Sequence, residues 1–148
     1  TVVTNSVNVF RELTDPLTNG ADGSVTPLVY LSGGVRTPSD ALVGPVADAA
    51  IASFRVDATY LGVHGVDPDA GLTSPNVAEA QTNRTLIEIG GRLVVLADHT
   101  KYREVGACVF ARLDHVQTLI SDDGLTAADR ELLDSRVGDL VIAQVRTR

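Results

Sequence analysis

The sequence predicts an α/β fold, a mostly parallel Rossmann-like sheet with helices on both faces. Short apolar stretches typical of strands alternate along the chain with stretches of about ten residues that are typical of helices. The run Leu93–Ala97 is almost unbroken hydrophobic sequence, as expected of a strand buried on both faces of a parallel sheet. The chain has 148 residues, of which 44% are hydrophobic. That is enough for one domain with a single core.

The first two predicted strands lie near the N-terminus. The β-branched run Thr1–Thr4 predicts the first, and Asn5-Ser6 offers a cap for a following helix with apolar residues at helical spacing. Turn formers and acids fill positions 15–24, which we expect to be a surface excursion. Thr26–Leu31 predicts the second strand. It ends in Ser32-Gly33-Gly34, where two glycines permit positive φ angles.

The middle of the chain continues the alternation of helices and strands. Gly44-Pro45 opens a helix that runs to about Phe54, because proline is tolerated in a first helical turn. Val56–Val63 predicts the third strand. A long polar loop is expected over His64–Pro75, and a helix from Asn76 to about Ile89. Loops of this length inside a compact domain are usually functional.

The last third of the chain carries three more strands. Leu93–Ala97 is followed at once by Asp98-His99-Thr100-Lys101, and Thr118–Ile120 by Ser121–Gly124. Thr126 caps a helix to about Arg136, and Asp139–Val145 predicts the last strand. In such sheets ligands bind beyond the carboxyl ends of the strands. That rule selects five segments, namely Thr4–Ser6, Ser32–Gly34, His64–Thr73, Asp98–Lys101 and Ser121–Gly124.

Charge and composition limit the partners of the chain. It has 12 basic and 19 acidic residues, a formal charge of −7 that repels phosphate backbones, so the chain alone should not bind DNA. The single cysteine, Cys108, lies in an apolar run and predicts a buried thiol in a reducing compartment. No apolar run is long enough for a membrane span, and the first five residues lack the basic region of a signal peptide. We expect a cytoplasmic protein with no membrane partner. Since the chain has no methionine and opens directly on a strand, we also expect it to be part of a longer protein.

Lys101 and Asp98 are the strongest candidates for ligand binding. Arginine outnumbers lysine by 11 to 1, and the one lysine follows the most hydrophobic strand. There its ammonium group would suit a phosphate or a hydroxyl-rich ligand; alternatively, it is a solvated surface lysine. Asp98 either accepts hydrogen bonds from sugar hydroxyls or caps the turn that follows it.

Other polar residues give weaker signals. His64 and Asp67 are potential proton carriers beside flexible backbone, although most such pairs are simply solvated. Asp122-Asp123 are expected to make a turn and to cap the next helix. Zinc-ligand spacing, a Walker loop, a GxGxxG motif and a nucleophile elbow are all lacking. We therefore expect no catalytic residues, no metal site and no cofactor.

In the segments that follow the predicted strands, the sequence resembles the effector-sensing domain of the DeoR family of bacterial transcriptional regulators. The family's motifs occur in order along nearly the whole chain. The motif from Gly62 to Asn76 and the Asp-x-x-Lys of Asp98 and Lys101 are together specific. The matching stretches are TVVTNS (1–6), LSGGV (31–35), ALVGP (41–45), YLGVHGVDPDAGLTSPNVAEA (60–80), VVLADHTKY (94–102) and FARLDHVQTLISDDGL (110–125).

The resemblance implies a fold similar to ribose-phosphate isomerases, glucosamine-phosphate deaminases and coenzyme A transferases, with a sugar phosphate as the typical effector. By position, Asp98 and Lys101 match the residues expected to hold the ligand. In the family, a separate N-terminal helix-turn-helix binds the operator, and ligand changes the oligomeric state or the affinity for DNA. The family's ligand lies in a crevice at the carboxyl ends of the strands. The positions in this sequence that match loops lining that crevice are Thr4, Asn5, Gly33, Gly34, Gly65 and Asp67.

Three departures from the family pattern matter. Residues 1–148 correspond to the sensing domain alone, without the helix-turn-helix. Family members usually begin this domain with an earlier strand and a Gly-Thr-Thr type loop that cradles phosphate, and Thr1 starts after that point. The segment 19–26 is also longer than the family pattern predicts.

The resemblance predicts a ligand-sensing domain of a regulator of sugar metabolism that controls DNA binding by another domain. The alternatives are a sugar-phosphate isomerase or deaminase with Asp67 or His64 as base, and a purely structural dimerisation module. A sensor of this type is expected to form a homo-oligomer. Exposed apolar helix residues such as Leu132 and Leu133 are candidates for the contact.

Overall fold

The structure, a computed structural model, describes residues 1–15 and 27–144, which form two compact units divided after Phe54. Three predicted features lie partly or wholly outside the described residues. They are the surface excursion at 15–24 with the long segment 19–26, the first residue of the strand Thr26–Leu31, and the end of the last strand at Val145.

The first unit contains a parallel pair of strands, β1 (Val2–Thr4) and β2 (Val29–Leu31), in which Val2 is paired with Val29. Helix α1 (Val7–Thr14) packs against β2. The Ser6 hydroxyl caps α1 by accepting the backbone N–H of Val9 at 3.3 Å. The predicted strand, cap, helix and second strand are therefore confirmed in this order.

A short antiparallel pair, β3 (Val35–Arg36) and β4 (Leu42–Val43), was not predicted from the sequence. Each strand has only two residues, too few for an alternating pattern to be visible. Helix α2 (Pro45–Ala52) follows, with Pro45 in its first turn as predicted. Its buried side, Ala47 and Ile51, is completely inaccessible to solvent.

The second unit holds most of the secondary structure. Its helices are α3 (Val77–Ile89) and α4 (Ala127–Asp134), and two 3₁₀ turns cover His99–Lys101 and Leu113–His115. Its strands are β5 (Thr59–Gly62), β6 (Gly65–Asp67), β7 (Gly71–Ser74), β8 (Leu93–Leu96), β9 (Cys108–Ala111), β10 (Thr118–Asp122) and β11 (Leu140–Ala143).

Four of these strands form a parallel sheet in the order β11-β10-β8-β5, flanked by α3, which contacts β5, and α4, which contacts β11. The α/β class with a mostly parallel sheet is thereby confirmed. Leu61, Val95 and Leu119 are paired across three neighbouring strands and are all buried. This row forms the centre of the unit's core.

The segment His64–Pro75 corrects a prediction: it was expected to be a loop throughout, but it contains a β-hairpin. Strands β6 and β7 pair with each other, and β7 pairs further with β9, which gives an antiparallel three-stranded sheet. The segment contains two glycines and two prolines, which are unfavourable inside strands, and this is why the short strands were not predicted. Strand β9 was also missed. Cys108 lies in it as a free thiol that is half-buried, not fully buried as expected.

The burial of residues in helix α4 corrects the expectation that Leu132 and Leu133 are both exposed and available for an oligomer contact. Leu133 is 1% exposed and belongs to the core, while Leu132 is half-buried. The predicted cap of this helix is confirmed, since the Thr126 hydroxyl accepts the backbone N–H of Asp129 at 3.2 Å. Among the helices of residues 1–15 and 27–144, none is both long and apolar enough to cross a membrane.

The cap of the longest helix, α3, should contribute measurably to stability. Asn76 Oδ1 accepts the backbone N–H groups of Ala78 at 2.9 Å and Glu79 at 3.1 Å. We predict that Asn76→Ala lowers the free energy of unfolding in urea by about 1 kcal/mol, whereas Asn76→Asp, which keeps the acceptor, costs much less. Equal losses for the two variants would contradict a role for the cap.

Candidate functional site

Asp98 begins the 3₁₀ turn that follows the buried strand β8. Its Oδ1 accepts the backbone N–H of Thr100 at 2.8 Å and also the Thr100 hydroxyl. These two bonds, the hydroxyl first, hold the pKa of the Asp98 carboxyl below its usual value, and the nearby Lys101 ammonium lowers it further. The predicted capping role of Asp98 is confirmed. Its role in binding a ligand stays a prediction.

Lys101 closes the same turn, and its backbone N–H donates to Asp98 O at 3.0 Å. The Lys101 ammonium is near enough to Asp98 for its positive charge to help lower the pKa of that carboxyl. Lys101 is half-buried and forms no salt bridge with any residue of the described ranges. The turn therefore presents an ammonium group without an ion-pair partner next to an ionised carboxylate.

Asp122 ties this turn to the end of the neighbouring strand β10. Its carboxylate accepts the His99 backbone N–H at 3.3 Å, the Gly124 N–H at 2.9 Å and a bond from His99 Nδ1 at 2.8 Å. Partial burial raises the pKa of the Asp122 carboxyl, but the N–H groups of Gly124 and His99 outweigh burial and leave that pKa lowered. Asp122 makes the predicted turn, whereas the cap of α4 comes from Thr126.

Gly124 allows the His99 ring to take its position. A Cβ atom at Gly124 would lie 2.3 Å from His99 Nδ1 and 2.4 Å from Cγ, much closer than atoms can approach. The imidazole is thus held by Asp122 and packed over a loop that has no side chain at this point. The His99 side chain nevertheless keeps 49% of its surface accessible to solvent.

Asp98, His99 and Asp122 together form a side-chain cluster that the sequence analysis missed. One potential ligand atom from each residue lies within 4.8 Å of the other two. Asp122 is 23 residues from His99 in the chain, and spacing alone gave no reason to join them. The available signal was topological, because the two segments follow apolar runs that become neighbouring parallel strands.

Gly65 and Asp67 are brought beside the turn through backbone pairing. Val66, between them, bridges to Tyr102, and its carbonyl accepts the Arg103 N–H at 2.8 Å. Asp67 Oδ1 is already occupied by the backbone N–H groups of Asp69 at 2.9 Å and Ala70 at 2.8 Å, which close the hairpin. Asp67 is thus a turn residue in the structure, and its contact with a ligand remains a prediction.

The other four candidate residues lie in the first unit, at the carboxyl ends of β1 and β2. The Thr4 hydroxyl accepts the Ser6 N–H at 3.0 Å, and the Asn5 amide donates to Leu42 O at 3.1 Å. Gly33 and Gly34 adopt the positive φ angles that were predicted, 73° and 112°. Each of these four residues therefore has a structural role, either a hydrogen bond or a backbone conformation, that does not involve a ligand. Ligand binding by these four residues remains a prediction.

A small pocket with a volume of about 10 Å³, room for about one water molecule, opens beside Asp98. Its lining is mainly hydrophobic, and Asp98 and Ser121 add polar groups at the ends of β8 and β10. Sites for small molecules usually measure about 300–1,000 Å³, so this pocket by itself is too small for a metabolite. The complete lining is Val66, Ala97, Asp98, Tyr102, Leu119, Ser121, Leu125 and Leu133.

Comparison with known proteins identifies the type of domain. The family model described as the DeoR C terminal sensor domain matches residues 1–123. Among solved structures, a variant of the decarboxylase AibA/AibB gives a TM-score of 0.46 at 18% identity, over 99% of this chain and 81% of that one. We infer nothing about activity from a likeness at that level.

Relatives of the chain carry the names of transcription regulators. The HTH-type transcriptional regulator GlpR of Haloferax volcanii is 34% identical over 90% of this chain and 49% of its own length. The putative aga operon transcriptional repressor of Escherichia coli O157:H7 is 26% identical over 87% and 45%. The glycerol-3-phosphate regulon repressor of Haemophilus influenzae is 26% identical over 64% and 37%. The chain thus spans about half the length of such relatives or less.

Gly65 should be required for the position of the hairpin. A Cβ atom there would lie 1.9 Å from the Glu104 carbonyl oxygen, whereas one at Gly62, at the end of β5, would meet nothing within 4 Å. We predict that Gly65→Ala lowers the free energy of unfolding by about 1–3 kcal/mol, because backbone must move. Gly62→Ala, the matched control, should be neutral or slightly stabilising. Similar urea midpoints for both variants would contradict this close approach.

Proposed function

Because the chain belongs to the DeoR family through its C-terminal sensor domain, we propose that its regulatory ligand is a phosphorylated sugar or a related metabolite. The observation that carries the proposal is the turn Asp98–Lys101 at the carboxyl end of β8. This turn carries both a carboxylate and an ammonium group.

The two groups suit the two halves of such a ligand. A carboxylate accepts hydrogen bonds from neighbouring hydroxyl groups of a sugar or polyol, and an ammonium group attracts a phosphate as a point charge. The ligand's hydroxyl-bearing part would lie against Asp98 at the surface, and its phosphate would lie near Lys101.

Control of DNA binding would pass through a part of the full-length protein other than residues 1–148. The net charge of −7 makes this chain unsuited to contact DNA by itself. We propose that a separate N-terminal helix-turn-helix domain binds the operator, as the names of the relatives suggest. Ligand bound at the sensor would change the affinity of that domain or the oligomeric state of the protein.

An enzymatic role is the alternative, and the structure offers it less support. Asp67 is the candidate base, but its Oδ1 already accepts hydrogen bonds from two backbone N–H groups of the hairpin. The relatives also carry the names of transcription regulators, not of enzymes. We expect no turnover when the chain is incubated with ribose 5-phosphate or glucosamine 6-phosphate. Product formation that disappears in Asp67→Asn would instead establish an isomerase or deaminase.

Replacing Lys101 should remove ligand binding without unfolding the protein. We predict that one member of a sugar-phosphate panel, which includes glycerol 3-phosphate, raises the melting temperature by several degrees, since a ligand at 100 times its Kd contributes about 2.7 kcal/mol. The unphosphorylated compounds should have no such effect. In Lys101→Ala the shift should vanish while the melting temperature without ligand stays the same.

Arg92→Ala provides the matched control, because it removes one exposed positive charge just before β8, at the opposite end of the strand from Lys101. This variant should keep the full ligand-induced shift. An undiminished shift in Lys101→Ala, or an equal loss in both variants, would show that the turn does not hold the phosphate.

A further inference from the structure

The charges around the 3₁₀ turn are not favourable for an anionic ligand. Two carboxylates, those of Asp98 and Asp122, face this turn, and Lys101 supplies the one ammonium group of the turn, so acidic side chains outnumber the ammonium group. Arg103, the next cation along the chain, lies over the Tyr102 ring and interacts with Asp129 and Asp67. A phosphate bound here would therefore meet a net negative surface unless a further cation is present.

We propose that Asp98, His99 and Asp122 bind a divalent first-row transition-metal ion, and that this ion supplies the missing positive charge. The metal site rests on the geometry of the cluster. Its role in binding phosphate rests in addition on the proposed function. The ion would reverse the sign of the local charge and leave coordination positions open to ligand oxygens.

The arrangement of the three side chains fits one ion after small adjustments. Their ligand atoms lie within 4.8 Å of one another, and the distance from His99 Nδ1 to Asp122 Oδ1 is 2.8 Å. Around an ion with bonds of about 2.1 Å, ligand atoms are separated by about 3–4 Å. Asp98 and His99 are exposed and adjacent on a short turn, so their side chains can close around an ion without movement of the core.

The ligand types select the class of metal. One imidazole nitrogen with two carboxylates suits Mn²⁺, Co²⁺ or Zn²⁺, whereas Mg²⁺ and Ca²⁺ prefer oxygen ligands only. Binding through Nδ1 replaces the hydrogen bond between His99 and Asp122 by two metal bonds, and the neutral imidazole that binds the ion carries its proton on Nε2. Asp98 keeps one carboxylate oxygen on the Thr100 N–H and can offer the other.

Mn²⁺ alone is the probe for the first experiment, with the 148-residue chain freed of metals by a chelator and with no phosphate present. We expect one Mn²⁺ per chain in an electron paramagnetic resonance titration. His99→Ala and Asp122→Asn should each weaken binding at least tenfold. Absence of stoichiometric binding, or binding that both variants retain, would overturn the metal site.

Two further variants test whether metal binding requires the His99 imidazole in its observed position. Gly124→Ala keeps all three ligands but places a Cβ atom where the His99 ring lies, so we expect about 10- to 100-fold weaker binding. His115 is the matched control: it pairs with Asp114 at 3.9 Å on another 3₁₀ turn, outside the cluster. His115→Ala should bind Mn²⁺ like the original chain. An effect of His115→Ala equal to that of His99→Ala would show nonspecific surface binding and overturn the proposal.

The second experiment separates this proposal from the proposed function. Melting temperatures are measured with glycerol 3-phosphate and the rest of the sugar-phosphate panel, once with Mn²⁺ and once with EDTA. A larger shift with Mn²⁺ supports the bridging ion, and equal shifts overturn that role while leaving the sensor intact. Stoichiometric Mn²⁺ binding without a shift from any phosphate would support the metal site and contradict the proposed ligand.

Discussion

The parallel pairing of β8 with β10 is the constraint on which the candidate site depends. Val95 is paired with Leu119 in the buried centre of the sheet, and Leu96 with Ile120. A shift of one residue would exchange the buried and exposed faces of a strand, so burial of Leu119 fixes the register. This register places Asp122 directly beside the turn that follows β8. Hydrophobic packing within the sheet therefore determines which polar side chains meet at its edge.

Local signals in the sequence were sufficient for most elements of the fold. Caps such as Ser6 and Thr126 and the apolar strand β8 follow from interactions between residues that are close in the chain. The hairpin of β6 and β7 was missed because its strands are short and rich in glycine. What stabilises it is partly distant, since β7 also pairs with β9. Such contacts leave no periodic pattern in the sequence.

The candidate site shows the same limit at the level of single residues. Asp98 was correctly associated with a cap, because the Thr100 N–H is only two residues away. The bond between His99 and Asp122 could not be read from spacing, and neither could the close approach of Gly65 to Glu104. Both depend on segments brought together by the sheets. Glycines that first suggested a loop around a ligand therefore prove to have packing roles as well.

The separation between a buried strand and an exposed turn also has a consequence for how freely each can change in sequence. Leu93, Val94 and Val95 carry the stability of this part of the sheet, whereas Asp98, His99 and Thr100 are exposed and contribute little to the core. Substitutions of these exposed side chains therefore cost little folding free energy. The turn can vary in sequence while the buried strand that positions it stays the same.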